Sequence, residues 1–407
     1  MLRMLLVGCL LANLSLVVSA AQPEQPKPLR IYLDADRSGH LASARAIEMG
    51  IKTAFAEVDN QIQGRQVEFI PLDHRGNSTR SRMNMERAFA DPSTLFMMAG
   101  LHSPPLIKNR DYINQQRMLT LVPWAAGGPI TRYPGAENWI FRLSVDDTKA
   151  GYRIAQYAIQ QNGCQQPELV LEQTPWGQSN ASTLLDAVQK ELGTSPGISW
   201  FHWNISPDSA RIKLRHIATN GSDCVLFVGN VHDGTTFVRA MNSMPVADQL
   251  PMFSHWGITG GDFEQQVPHE MRERVRLSFL QTCFSFVSSE PSALSAAVLA
   301  QAQALFPELI TAKELKAPGG FIHAYDLGRL VITALQEMEI SPHIGVTRDR
   351  LRRALEDLQT PVQGLLKRYQ QPFAINGTGP DAHEALGMDD LCMARYGPAD
   401  EILLVDR

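Results

Sequence analysis

Short apolar runs alternate with amphipathic segments along most of the chain, and the stretch from 94 to 128 shows this pattern most fully. It contains an apolar run, a polar turn, a polar helical spacer, a second apolar run and the corner Pro-Trp-Ala-Ala-Gly-Gly. Continuous apolar runs are typical of strands buried on both faces of a parallel sheet. The stretch therefore predicts a strand–helix–strand unit with turns at Ser103 and Trp124. Such turns bind ligands because backbone amides and a helix N-terminus converge at the carboxyl ends of the strands.

The same alternation continues on both sides of this unit and predicts an α/β fold. Strands are predicted at 30–34, 66–72, 94–100, 118–122, 139–143, 168–172, 198–203, 224–229, 252–254 and 401–405, with a further one from 277. Helices are predicted at 46–58, 81–90, 151–161, 181–192, 209–219, 236–243, 292–305, 320–338 and 348–358. The polar segment 144–148 interrupts the pattern. We therefore expect the strands and helices that follow this segment to form a lobe of their own. A chain of 407 residues is long enough for two lobes.

The N-terminal sequence indicates export. A positive charge precedes an apolar run, and the small residues Val18 and Ala20 complete the pattern of a cleavable signal peptide, predicted at 1–20 and followed by a leader at 21–28. A lipidated Cys9 and an uncleaved anchor are the alternatives, although the apolar run before this cysteine is short. We therefore expect a periplasmic protein.

Charge narrows the range of partners. The chain has 37 basic and 42 acidic residues, a net charge of −5, and no basic cluster. This balance argues against nucleic acid as a partner. After the signal peptide no apolar stretch is long enough to span a bilayer.

Four cysteines follow the signal peptide, at Cys164, Cys224, Cys283 and Cys392. In an oxidising compartment they could form two disulfides by any of three pairings, or they could remain buried free thiols. No two of them lie at the spacing of metal ligands, which argues against a zinc site. The sequence predicts no metal and no cofactor.

Signatures of catalysis are incomplete in this sequence. Gly177 and Ser179 begin a hydrolase elbow, but Ala181 stands where that motif needs a glycine. His269 and Glu270 lack the second histidine of a zinc protease. No glycine-rich phosphate loop is present. We therefore predict that the protein is not an enzyme, although shifted acid–base groups cannot be recognised from sequence alone.

The order of the strand-end motifs resembles that of the branched-chain amino acid type of periplasmic solute-binding proteins. The resemblance covers nearly the whole mature chain and rests on a series of individually weak motifs. They lie at 30–33, 60–67, 100–103, 123–129, 141–147, Trp176-Gly177, Gly229, 324–326 and 364–373. The resemblance implies a type I, Venus-flytrap fold with two Rossmann-like lobes of parallel sheet.

This family joins its lobes by three crossovers and binds ligand in the cleft between them. The resemblance places the crossovers near Leu143, Leu280 and Thr360. Lobe I is then 29–143 plus 281–360, and lobe II is 144–280 plus 361–407. Closure of such a hinge removes both faces of a solute from water.

The resemblance also assigns ligand-binding roles to the two turns of the first lobe. A family serine matching Ser103, beside His102, holds the ligand's carboxylate; the alternative role is an ordinary helix N-cap. The carbonyl that accepts the ligand's amine falls on Trp124, next to Ala125. The family's second hydroxyl falls on Ala126 and is therefore missing. A carboxylate would lose a charge-assisted hydrogen bond of about 1.5–3 kcal/mol there.

On the facing lobe, three positions differ from what the family usually carries there. Trp176 replaces a tyrosine that stacks over the ligand, and Asn230 or His232 lies where another aromatic is common. Trp256 falls near the acid that would pair with the ligand's ammonium. The three tryptophans at strand ends, counting Trp124, predict an aromatic-walled cleft, although tryptophans also pack in ordinary cores.

The sequence thus favours an exported solute-binding protein that serves an ABC-type transporter. Its ligand would be a small organic molecule, aromatic, amide-bearing or weakly charged, rather than a standard aliphatic amino acid. A periplasmic sensory module that signals to a membrane receptor or kinase is the alternative, since one fold serves both roles. The expected partners are the ligand and a permease or sensor protein of the inner membrane.

Overall fold

The first lobe is built on a six-stranded, mainly parallel sheet. The computed structural model describes residues 27–287 and 291–406, so the predicted signal peptide, most of the leader and Cys9 lie outside the described residues. The strands are β1 (Leu29–Ala35), β2 (Gln61–Ile62), β3 (Arg65–Asp73), β4 (Thr94–Ala99), β5 (Thr120–Val122) and β6 (Ile140–Arg142). Their order is β2-β3-β1-β4-β5-β6, with β2 antiparallel to β3. The carboxyl ends of β1, β4 and β5 therefore lie side by side.

The second lobe has a seven-stranded sheet. The remaining strands are β7 (Pro167–Glu172), β8 (Gly197–Phe201), β9 (Cys224–Val228), β10 (Met252–Ser254), β11 (Ser278–Thr282), β12 (Val362–Gln363), β13 (Arg368–Tyr369), β14 (Leu391–Tyr396) and β15 (Ile402–Leu404). The sheet order is β15-β14-β11-β10-β9-β7-β8, and β12 pairs with β13 in a separate hairpin. The strands from β11 to β8 are parallel, whereas β14 and β15 are antiparallel to their neighbours.

Helices cover both sheets. They are α1 (Leu41–Ala56), α2 (Ser78–Ala90), α3 (Ser103–Gln115), α4 (Asp147–Gln156), α5 (Pro175–Leu192), α6 (Pro207–Thr219), α7 (Val231–Asn242), α8 (Phe263–Gln266), α9 (His269–Arg274), α10 (Ala293–Leu305), α11 (Pro318–Gln336) and α12 (Ile344–Glu356). Helix α1 packs on α10 and α11, α4 on α5, and α6 on α7. The predicted fold of two α/β lobes is confirmed. Among the described helices, none has the length and apolar character needed to cross a bilayer.

Several helices begin earlier than the apolar periodicity predicts, because polar caps set their N-termini. The side chain of Asn77 accepts hydrogen bonds from the amides of Thr79 and Arg80, so α2 starts at residue 78 rather than 81. Thr174 caps α5 in the same way, ahead of Pro175 at the first helical position. The early start of α5 places Trp176 in the first turn of the helix, at the carboxyl end of β7.

Strand β14 is absent from the predicted elements. Its sequence, Leu-Cys-Met-Ala-Arg-Tyr, is a short apolar run of the kind that periodicity alone cannot assign. The strand lies beside β11, to which its Cys392 is joined through Cys283. Cys164 and Cys224 form the second disulfide. The four cysteines are thus paired, with sequence separations of 109 and 60 residues.

The C-terminal segment contacts the first lobe before it enters the second sheet. The backbone of Arg142 in β6 donates a hydrogen bond to the carbonyl of His383, and Asp326 of α11 accepts bonds from the amides of Leu365 and Leu366. We therefore propose that the third crossing lies near 387–391, later than the position near Thr360 that the resemblance implied. The other lobe boundaries remain predictions.

A buried ion-pair network lies where β6 leaves the first lobe. The fully buried guanidinium of Arg142 contacts Glu384 at 2.6 and 2.8 Å and Asp146 at 2.8 Å. It also donates to the carbonyls of Ala125 and Gly127, at 3.1 and 2.9 Å. The corner after β5 is therefore held in place by charged groups on the crossing segments.

Candidate functional site

Turns at the carboxyl ends of strands from both sheets meet between the lobes. The turns after β4 and β5 approach from the first lobe, and those after β7, β9 and β10 from the second. They enclose a cavity of only about 10 Å³, close to the space that one water molecule needs. The lining residues are Leu101, His102, Ser103, Pro104, Trp124, Ala126, Glu172, Trp176, Asn230 and Trp256.

Seven of the nine predicted site residues line this cavity. They are His102, Ser103, Trp124, Ala126, Trp176, Asn230 and Trp256. Of the other two, Ala125 is buried behind the turn, where its carbonyl accepts a hydrogen bond from Arg142. His232 is exposed in the first turn of α7 and lies outside the lining. Their roles toward a ligand remain predictions.

Two tryptophans, one from each lobe, stack on each other in the cleft. The rings of Trp124 and Trp256 have centroids 4.3 Å apart and an interplanar angle of 24°. Glycines at the start of α11 make room for both rings. A Cβ on Gly319 would lie 2.8 Å from the Trp256 ring, and one on Gly320 would lie 3.0 Å from the Trp124 ring. A side chain at either position would therefore press against the stack, most strongly at Gly319.

The third tryptophan is oriented by a buried carboxylate. Trp176 Nε1 donates to Asp147 Oδ1 at 3.1 Å, and His255 Nε2 lies 3.1 Å from the same oxygen. A Cβ on Gly257 would lie 2.7 Å from the Trp176 ring. A side-chain hydrogen bond and a close glycine thus fix the ring at the wall of the cleft. Asp147 begins α4 directly after the first crossing between the lobes.

Ser103 keeps a hydroxyl available in the cleft. The helix α3 begins at Ser103 itself, so the alternative role as an N-cap is not observed; His102 takes that position. Ser103 Oγ accepts a hydrogen bond from the Gly127 amide at 3.0 Å. Among the described residues none accepts the hydroxyl hydrogen of Ser103. Leu101, just before this turn, has a φ of 79°, a backbone conformation that is uncommon for residues other than glycine and is often found at functional sites.

Glu172 is a cleft residue that the sequence analysis missed. Its carboxyl group accepts from Thr174 Oγ1 at 2.6 Å and from Asn230 Nδ2 at 3.2 Å. Burial raises the pKa of Glu172 to about 8, so the acid is mostly protonated at neutral pH. Glu172 is the last residue of a predicted strand. The rule that ligands gather at strand ends would have found it, whereas the family motifs did not point to it.

A polar cluster borders the cavity through His102. Asp36 follows β1, and its Oδ2 lies 3.1 Å from both His40 Nδ1 and His102 Nε2. Burial lowers the pKa of His102 to about 4, so its ring is neutral at pH 7. Burial opposes ionisation of Asp36, but the hydrogen bonds from His102, His40 and the Gly39 amide hold its pKa below the usual range.

The sequence profile of the periplasmic binding protein family matches residues 29–385. The chain belongs to this family. Members of this family bind solutes, and three solved structures show how closely the fold is shared. No curated protein matches the chain.

The first of these structures is the periplasmic binding protein type 1 of Bordetella pertussis Tohama I. It is 14% identical, with a TM-score of 0.77 over 93% of this chain and 100% of that one. A solute-binding protein of an R. palustris ABC transporter, in complex with benzoate, is 14% identical, with a TM-score of 0.73 over 93% and 96%. The substrate-binding protein LivJ of Streptococcus pneumoniae, in complex with isoleucine, is 15% identical, with a TM-score of 0.72 over 93% and 99%. At 14–15% identity, structural similarity shows that this chain shares the fold of these proteins.

Proposed function

We propose that this protein captures a small organic solute with a flat ring in the cleft between its lobes, for delivery to an ABC-type transporter. The observation that carries the proposal is the stack of Trp124 on Trp256. Each ring belongs to a different lobe, and together they fill the place where strand-end turns of both lobes meet. Flat aromatic faces bind flat rings well because stacking adds to the burial of apolar area.

The closed cleft requires the tryptophans to separate before a ligand binds. A cavity of about 10 Å³ holds no more than about one water molecule, which is far less than a ring of six atoms needs. Trp256 reaches α11 of the first lobe, where its ring lies 5.2 Å from that of His323. Opening of the lobes would withdraw Trp256 and expose Trp124, and a ring could then take the place of the stack.

The polar groups of the cleft favour a ligand with a carbonyl or weakly acidic group rather than an amino acid. The hydroxyl of Ser103 and the protonated carboxyl group of Glu172 could each donate a hydrogen bond to a ligand oxygen. No family hydroxyl stands at Ala126, and Trp256 stands where a carboxylate would pair with an ammonium group. The R. palustris relative in complex with benzoate supports this choice of ligand class.

A thermal-shift panel tests the ligand class. Benzoate, 4-hydroxybenzoate and benzamide should raise the melting temperature of the mature protein, whereas isoleucine and leucine should not. Ligand at 100 times its Kd stabilises by about 2.7 kcal/mol, which a melting curve detects. The response should be lost in Trp124→Ala and kept in Trp200→Phe, a half-buried tryptophan on β8 outside the cleft lining. A shift with isoleucine and none with ring compounds would refute the proposed class.

Delivery to a transporter is tested separately in the source organism. Deleting the gene should slow uptake of the ring compound that the panel identifies, and the intact gene should restore uptake while Trp124→Ala should not. Unchanged uptake, together with a lost transcriptional or motile response to the compound, would assign the protein to sensing instead.

A further inference from the structure

Three side chains that can bind a metal converge beside the cleft. Asp36 Oδ2 lies 3.1 Å from His40 Nδ1 and 3.1 Å from His102 Nε2, and the three ligating atoms lie within 4.8 Å of one another. Both ring nitrogens thus face one carboxylate oxygen. Asp36 and His102 are 4% exposed, and His40 is half-buried. The cluster is therefore shielded from bulk water but open on the side of His40.

The sheet order brings these residues together from distant parts of the sequence. Asp36 follows β1, and His102 follows β4, the neighbour of β1 in the sheet. His40 stands at the N-terminus of α1, four residues after Asp36. Asp36 Oδ1 accepts from the Gly39 amide at 2.7 Å, which fixes the carboxylate. A Cβ on Gly39 would lie 2.8 Å from Asp36 Oδ2, so a larger residue there would displace this carboxylate.

We propose that Asp36, His40 and His102 form a binding site for a divalent first-row transition metal ion such as Zn²⁺. Zinc binds nitrogen and oxygen at about 2.0–2.2 Å, so neighbouring ligand atoms in a tetrahedral site lie about 3.3 Å apart. The two 3.1 Å separations are close to this value. Small movements of the rings would therefore admit the ion.

The donor atoms select the class of ion. Two imidazoles and one carboxylate suit zinc, cobalt, nickel or copper, whereas calcium and magnesium prefer oxygen ligands. Three protein ligands leave a fourth position for water or another molecule. The other grouping of candidate ligands among the described residues, Cys164, Asp223 and Cys224, has both sulfurs in a disulfide and offers no thiolate.

A nearby third histidine does not belong to the site. The His74 ring lies 5.9 Å from that of His102, but its Nδ1 accepts from the Gly76 amide at 3.0 Å and its Nε2 lies 3.3 Å from the Gly100 carbonyl. Both of its nitrogens are engaged with the backbone. Trp203, from the loop after β8, packs on His102 with ring centroids 5.4 Å apart. The site therefore lies where the two lobes touch, at the edge of the ligand cleft.

Calorimetric titration with Zn²⁺, and Co²⁺ titration followed by visible absorption, test the site. The mature chain without an affinity tag is first treated with a chelator. We expect one saturable equivalent of metal, a nitrogen- and oxygen-ligated Co²⁺ spectrum and a higher melting temperature. His40→Ala, at a partly exposed position, and His102→Gln should each weaken metal binding by more than about tenfold. Tenfold is the lower bound for loss of a residue that only supports a metal site.

His343→Ala is the matched control, because His343 is exposed at the N-terminus of α12, and Arg348 of this helix contacts Thr94, at the end of β4 opposite to His102. This variant should bind metal as the unmodified chain does. Absence of a saturable equivalent in the folded wild-type protein would overturn the proposal. So would unchanged affinity in both His40→Ala and His102→Gln. The test uses metal alone, so its result does not depend on whether the cleft binds a ring compound.

Discussion

Trp256 of the second lobe stacks on Trp124 of the first, with ring centroids 4.3 Å apart. Each ring closes the cleft by occupying space that a ligand would use. Under the proposed function this contact would link recognition to motion, because the lobes cannot separate without exposing two apolar faces. A flat solute that covers both faces would restore the buried area in the closed state. Ligand capture and hinge closure would then depend on the same two side chains.

Gly319→Ala should destabilise the closed state. The added methyl group would lie 2.8 Å from the Trp256 ring, and overpacking of this kind costs about 1–3 kcal/mol. Urea denaturation followed by circular dichroism measures the change. Gly345→Ala, in the first turn of α12, is the control. Its nearest neighbour would be Arg348 at 3.9 Å, so it should be neutral or slightly stabilising. Equal effects of the two substitutions would show that the Trp256 contact is not tight.

Glu172 should make stability fall as the pH rises. Its pKa rises from the usual 4.5 to about 8 on folding, so the folded chain holds a proton that the unfolded chain releases between these values. This stabilisation is complete below pH 4.5 and is lost as pH rises through about 8. Burial also raises the pKa of Asp326, to about 6, so this group likewise makes stability fall as the pH rises, but at lower pH than Glu172 does.

Comparison with Glu172→Gln isolates the contribution of this one group. Glutamine does not titrate, so the variant keeps its stability as the pH rises. The difference in free energy of unfolding between the variant and the wild type should therefore grow from pH 6 to pH 8. Urea melts at several pH values supply the difference. A constant difference across this range would mean that Glu172 is ionised in the folded protein.

The network around Arg142 should be essential for stability. Glu384→Leu removes a carboxylate that bonds this fully buried guanidinium twice, and the loss of one partner of a buried pair costs about 3–5 kcal/mol. Arg211→Ala, which breaks an exposed pair with Asp208, should cost no more than about 1 kcal/mol. Chemical denaturation compares them. A loss below 1 kcal/mol in Glu384→Leu would show that Asp146 alone satisfies Arg142.

The disulfide between Cys283 and Cys392 should stabilise the second sheet. It joins residues 109 positions apart, and removal of a native disulfide typically costs about 2–5 kcal/mol. The double serine variant should melt at a lower temperature than the oxidised wild type and should respond less to a reducing agent. The remaining response would belong to Cys164 and Cys224. An unchanged melting temperature in the double variant would argue against this pairing.

The cleft aromatics could be predicted from the sequence because local patterns place them. Trp124, Trp176 and Trp256 each follow a short apolar run, and parallel strands bring their carboxyl ends to one edge. The stacking of Trp124 on Trp256 could not be predicted, since it depends on the angle between the lobes. Asp36 and His102 lie 66 residues apart and meet only because β1 and β4 are neighbours. Strand β14 was missed because its pairing with β11 is likewise non-local.

Native mass spectrometry of the mature protein from its own host tests the central claim most directly. We expect a bound compound of small mass that contains an aromatic or other flat ring, retained by the wild type and lost from Trp256→Ala. Tandem fragmentation of the released compound identifies the ring. An aliphatic amino acid bound to the wild type and equally to Trp256→Ala would contradict the account, because the ligand would then have no ring and its binding would not depend on Trp256.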